Sequence, residues 1–96
     1  MSDYGMLIGG ELVAGDSTMD VINPATGEPF ATVPRASVRQ ADAAIAAAKA
    51  GQKGWAAVPY AERQGRLVAL ADAIAASKDD LARTLTMEQG KPLPEA

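Results

Sequence analysis

Around residue 35 the chain changes its period. Residues 6–35 hold short apolar, often β-branched runs separated by turn formers, whereas residues 37–90 are alanine-rich with apolar positions recurring every three or four residues. That division predicts a front of short strands followed by helices. Bulk is scarce throughout: of 46 apolar residues 21 are alanine, which leaves 25 larger ones to build a core. A core so small lies at the low end of what a single domain needs, so the chain is expected to require a partner surface for full stability.

Local signals divide the front into strands and turns. Met6-Leu7-Ile8 and Glu11-Leu12-Val13 flank Gly9-Gly10, a glycine pair suited to a two-residue hairpin turn. Thr18 to Ile22 and Phe30 to Val33 read as two further strands around Asn23-Pro24-Ala25-Thr26-Gly27. In that turn Pro24 fixes φ, Asn23 can bond the backbone ahead of it, and Gly27 can take positive φ. Pro34 is expected to end the strand region.

Three helices are expected behind it. Ser37 and Gln40 have capping-box spacing, and Val38, Ala41, Ile45 and Ala48 form one apolar stripe. Gly51 and Gly54 weaken the end of this helix, with Trp55 following as a large anchor. Pro59 opens a second helix as a first-turn proline, whose apolar face is Leu67, Leu70, Ala71 and Ile74. Ser77 and Asp80 repeat the capping signature, so the helix breaks and a third begins, with Leu81 and Leu85 marking its buried side. Gly90 is expected to stop it, with Pro92 just beyond.

Composition excludes several function classes. Twelve acids and nine bases give a net charge of −3 with no basic stripe, which argues against nucleic-acid binding. The lack of cysteine removes disulfides, thiolate metal sites and a cysteine nucleophile from these residues. No secretory signal opens the chain, and no apolar run approaches the roughly 18 residues of a membrane span. A soluble, cytoplasmic protein is the expectation.

Three blocks, taken in order, resemble the amino-terminal region of the NAD(P)-dependent aldehyde dehydrogenase superfamily. The first is Ile8-Gly9-Gly10-Glu11-Leu12-Val13. The second runs from Val21-Ile22-Asn23-Pro24-Ala25-Thr26-Gly27 to Ala31-Thr32-Val33-Pro34. The third runs from Trp55 through Glu62-Arg63 and Leu81-Ala82 to Glu88-Gln89-Gly90-Lys91-Pro92-Leu93-Pro94-Glu95-Ala96. This last block is similar to bacterial members such as the succinate-semialdehyde dehydrogenases. The resemblance implies an α/β enzyme in which short strands and three helices form part of the cofactor-binding domain.

It also implies a reaction. Family members oxidise an aldehyde to an acid with NAD or NADP: a cysteine thiolate attacks the carbonyl, hydride passes to nicotinamide, and a glutamate base helps water release the thioester. An asparagine side chain and a backbone N–H stabilise the oxyanion. None of these residues transfers to this chain, which has no cysteine, no phosphate-cradling glycine loop, and Asn23 as its only asparagine. The chain is therefore expected to be the front end of a longer dehydrogenase, inactive alone and without bound dinucleotide. The full-length family is homo-oligomeric, but its main intersubunit strand has no counterpart here. One site does transfer by resemblance: a monovalent cation held by the backbone oxygens of Val21 and Ile22 and by Glu88, hard oxygen donors suited to such an ion.

Each remaining candidate has a plainer reading. Glu88 is first a solvated charge near a helix end, and Lys91 a lysine placed to offset the helix dipole, lacking the spacing of a P-loop. Asp79 and Asp80 suit a helix amino terminus. Glu62 and Arg66 are an i,i+4 ion pair. Trp55 is expected to pack between the first two helices, and Asn23 to serve its turn. Two classes of function stay open: the start of a dehydrogenase, or a non-enzymatic interaction or oligomerisation module.

Overall fold

The computed structural model describes residues 4–96. Four strands precede three helices: β1 (Met6–Ile8), β2 (Glu11–Val13), β3 (Ser17–Ile22), β4 (Pro29–Arg35), α1 (Val38–Ala57), α2 (Tyr60–Ala76) and α3 (Lys78–Gln89), followed by a 3-10 turn over Leu93–Glu95. The strands form two separate two-stranded sheets, β1 with β2 and β3 with β4. The chain divides into two compact units. One holds the chain through Val21 together with Pro29–Ala57; the other holds Ile22–Glu28 and Val58–Ala96.

In the first unit β1 and β2 pair antiparallel, Met6 opposite Val13 and Ile8 opposite Glu11. Gly9 and Gly10 both have positive φ, 61° and 84°. This is the backbone that a primed hairpin turn demands and that residues with a side chain resist. Side chains alternate along the hairpin: Met6, Ile8 and Val13 are half-buried while Leu7 and Leu12 face outward. Pro34 does not end the strand region, because β4 continues through it to Arg35. In a two-stranded sheet every strand is an edge, so a residue without an N–H can occupy an outward-facing position.

The covered face of α1 differs from the expected stripe. Val38 and Ile45 are 80% and 69% exposed, whereas Gln40, Ala44 and Ala47 are half-buried at helical spacing. A methyl group at Gly9 would sit 3.8 Å from the Ala47 Cβ, an ordinary contact distance, so the Gly9-Gly10 turn lies over this alanine face. Nor do Gly51 and Gly54 end α1, which continues through both to Ala57 and carries Trp55 inside it. Two glycines cost a helix about 1 kcal/mol each relative to alanine, and thirteen residues precede the first of them.

The second unit begins with the Asn-Pro turn. Asn23 Oδ1 accepts from the Ala25 N–H at 2.9 Å, Gly27 N–H donates to Asn23 O at 2.8 Å, and Gly27 has φ 73°. Pro59 stands just before α2 as its N-cap, not inside the first turn, and its carbonyl accepts from the Glu62 and Arg63 N–H groups. The break at Ser77 is present, but its hydroxyl makes no capping bond. Ser77 N–H still donates back to Ile74 O, so the residue closes α2 and opens α3 at once. Gly90 caps α3 with φ 82°, its N–H donating to Thr86 O at 2.9 Å. No described residue is fully buried, and the apolar face of α2 is open, with Leu67 59% and Ile74 53% exposed. Leu81, expected inside, is half exposed, while Leu85 is half-buried.

Candidate functional site

The three cation candidates are placed as follows. Val21 is half-buried near the end of β3 in the first unit, and Ile22 closes that strand at the start of the second. Glu88 is exposed at the penultimate position of α3. Within the second unit the turn that follows Ile22 meets the cap that follows Glu88: a Cβ on Gly90 would lie 3.2 Å from Pro24 Cγ. Glycine at 90 thus serves both the left-handed backbone and the proline packed against it. Among the described residues no cluster of three or more His, Cys, Asp or Glu could hold a metal ion.

The other charged candidates take structural places. Glu62 accepts from Arg66 Nη2 at 2.8 Å across one turn of α2, with both side chains more than half exposed. Such a pair contributes a few tenths of a kcal/mol. Asp79 and Asp80 lie in the first turn of α3, where negative charge is favourable. A groove of about 450 Å³ beside them is lined by Lys78, Asp79, Arg83, Leu93 and Pro94. A second, of about 400 Å³, lies between the β1–β2 hairpin and α1 and is apolar, lined by Leu7, Ile8, Ala44, Ala47 and Ala48. Neither assembles a nucleophile with a base.

The densest polar cluster escaped the sequence reading. Ser37 and Gln40 make the expected capping box: Gln40 N–H donates to Ser37 Oγ, and Ser37 N–H donates to Gln40 Oε1, each at 3.2 Å. The same carboxamide also reaches the β2–β3 link, where Oε1 accepts from Asp16 N–H at 2.8 Å and Nε2 donates to Ala14 O at 2.9 Å. Asp16 in turn accepts from the Ser37 hydroxyl and, at 3.3 Å, from Arg39 Nη2. The Ser37 bond is the main influence holding the Asp16 carboxyl below its ordinary value; desolvation opposes it and Arg39 assists. Gly15 explains how the link comes so close, since a Cβ there would lie 2.6 Å from Arg35 N and Arg35 O. Nothing in the local sequence marks Asp16, because its partners lie more than twenty residues away.

Comparison with known proteins agrees with this arrangement of strands and helices. Residues 12–96 match the aldehyde dehydrogenase family. The chain is 44% identical over 86 residues to the 3,6-anhydro-alpha-L-galactose dehydrogenase of Streptomyces coelicolor, covering 90% of this chain and 18% of that protein. Its fold superposes on succinate-semialdehyde dehydrogenase from Burkholderia pseudomallei with a TM-score of 0.90 at 43% identity, over 98% of this chain and 20% of that one. For an NAD-dependent benzaldehyde dehydrogenase from Corynebacterium glutamicum the TM-score is 0.89 at 32% identity, over 98% and 21%. The chain thus spans about a fifth of the length of the relatives it matches. Its short strands and three helices correspond to the amino-terminal part of those enzymes. By the family match along 12–96 and the superposition of nearly every residue, this chain belongs to the aldehyde dehydrogenase family.

Proposed function

We propose that this chain is the amino-terminal scaffold of a cytoplasmic NAD(P)-dependent aldehyde dehydrogenase, which oxidises an aldehyde to a carboxylic acid. The reading is carried by the family match along residues 12–96. In it the chain supplies strands and helical cover to the cofactor-binding domain and no reacting group. Three features support a scaffold role. The chain contains no cysteine to act as nucleophile. Its one asparagine commits its side-chain oxygen to the turn it sits in. Its apolar helix faces are open, as expected of surfaces made to be covered by the rest of a larger domain.

The relatives are named for three different substrates at 32–44% identity, so likeness over these residues selects none of them. The choice between NAD and NADP and the homo-oligomeric assembly belong to the same reading, as does a monovalent cation at the Val21 and Ile22 carbonyls and Glu88. These rest on the family resemblance.

The open faces of α2 also favour a second reading, a non-enzymatic module that pairs with another subunit through Leu67, Leu70 and Ile74. The coding sequence beyond the Ala96 codon separates the two. In-frame continuation to a glycine-rich loop and a cysteine supports the dehydrogenase; a stop codon with stable expression of the short product supports the module.

A further inference from the structure

We propose that Gln40 is a clasp: one carboxamide that both caps α1 and fastens the Ala14–Asp16 link to it, so that link and helix end open together. A capping box needs an acceptor at this position, and glutamate fills that role as readily as glutamine. Here the acceptor oxygen is shared between two N–H donors, Ser37 at 3.2 Å and Asp16 at 2.8 Å. The other end of the group must donate, because at 2.9 Å it faces the Ala14 carbonyl, which can only accept. Turning the amide over would oppose two donors to an NH₂ and an oxygen to a carbonyl, so the surroundings fix its orientation.

The neighbouring charges sharpen the requirement. Asp16 carries its carboxylate into the same cluster, held by the Ser37 hydroxyl and by Arg39. Arg35 contributes its backbone on the far side of Gly15. A glutamate at 40 would bring a second negative group into the cluster and would turn an acceptor toward Ala14 O. The structure therefore assigns the choice of glutamine over glutamate to the link and not to the helix.

Amide hydrogen exchange on the 96-residue chain, in buffer with and without a stabilising osmolyte, tests this residue by residue. Four amides report: Asp16 and Ser37, bonded to Gln40 Oε1; Gln40, bonded to Ser37 Oγ; and Arg63 in α2 as a control, bonded to Pro59 O. Gln40→Ala is expected to speed exchange at Asp16 and Ser37 together by about tenfold or more, with Arg63 unchanged. Gln40→Glu is expected to keep Gln40's own capping amide within about twofold while speeding Asp16 about tenfold. Exchange at Asp16 that ignores both substitutions would reduce Gln40 to an ordinary cap and overturn the clasp. An Asp16 amide unprotected in the unsubstituted chain, under both conditions, would overturn it as well.

Discussion

Replacing Gly15 by alanine puts a methyl group where the structure has backbone. The new Cβ would lie 2.6 Å from Arg35 N, Arg35 O and Ser17 O, against an ordinary contact of 3.4 Å or more. About 0.8 Å must then be found against three main-chain atoms at once, none of which can rotate away. Overpacking typically costs about 1–3 kcal/mol, and rigid backbone on every side places this case at the upper end. Losing glycine's freedom in the unfolded chain offsets about 0.4–1 kcal/mol. The net loss is about 2 kcal/mol, roughly thirtyfold in the folding equilibrium.

Gly54→Ala is the matched control. It lies inside α1 with nothing within 4 Å of the added atom, so it should gain about 0.5–1 kcal/mol of helix stability. Urea titrations followed by fluorescence of Trp55, the sole tryptophan and a residue of the same unit, read both changes. With a urea slope of about 1 kcal/mol per molar, the Gly15→Ala midpoint should fall by about 1–2 M, and the Gly54→Ala midpoint should rise by less than that. A Gly15→Ala midpoint at or above the unsubstituted value would refute the reasoning, because the close approach of the link to Arg35 would then not exist.

Four further outcomes are expected. Gly90→Ala should lower stability by about 1–2 kcal/mol, since it strains a left-handed residue and presses on Pro24; Gly65→Ala, in open space on α2, should not. Glu62→Ala should change the stability read by urea titration by less than about 0.5 kcal/mol, because its ion pair with Arg66 is exposed. The Asp16 carboxyl is held below its ordinary value of 3.8. Its contribution is therefore complete above that value and lost as pH falls through the lowered one, and Asp16→Asn should flatten that part of the stability–pH curve measured by Trp55 fluorescence. Calorimetry should show broad, weakly cooperative unfolding, as no described residue is fully buried; a sharp transition independent of concentration would count against this.

The parts of the fold that could be read from sequence are those set within a few residues. Gly9-Gly10, Asn23 to Gly27, Ser37 with Gln40, and Gly90 each satisfy a local backbone demand, and each takes the conformation its residue type implies. Readings failed where packing decided. Spacing along α1 points to Val38, Ala41, Ile45 and Ala48 as the covered stripe, but the half-buried positions are Gln40, Ala44 and Ala47, on the face that packs toward the hairpin. Gly51 and Gly54 have helix-breaking character, yet α1 passes through both. The second half of Gln40's role, toward Ala14 and Asp16, depends on residues brought together only by folding. Of the candidate site, Val21 and Ile22 are named only through family resemblance, because backbone carbonyls leave no mark in a sequence, and Glu88 reads locally as one more charge near a helix end.

The most direct test asks whether the 96-residue chain does chemistry alone. Purified protein is mixed with NAD or NADP and a panel of aliphatic, acidic and aromatic aldehydes, and the appearance of reduced nicotinamide is followed. A chain that supplies only support to a dehydrogenase gives no signal above buffer with any of them. Saturable, aldehyde-dependent reduction of either dinucleotide would mean that these residues hold a reacting group after all, and the account would fail.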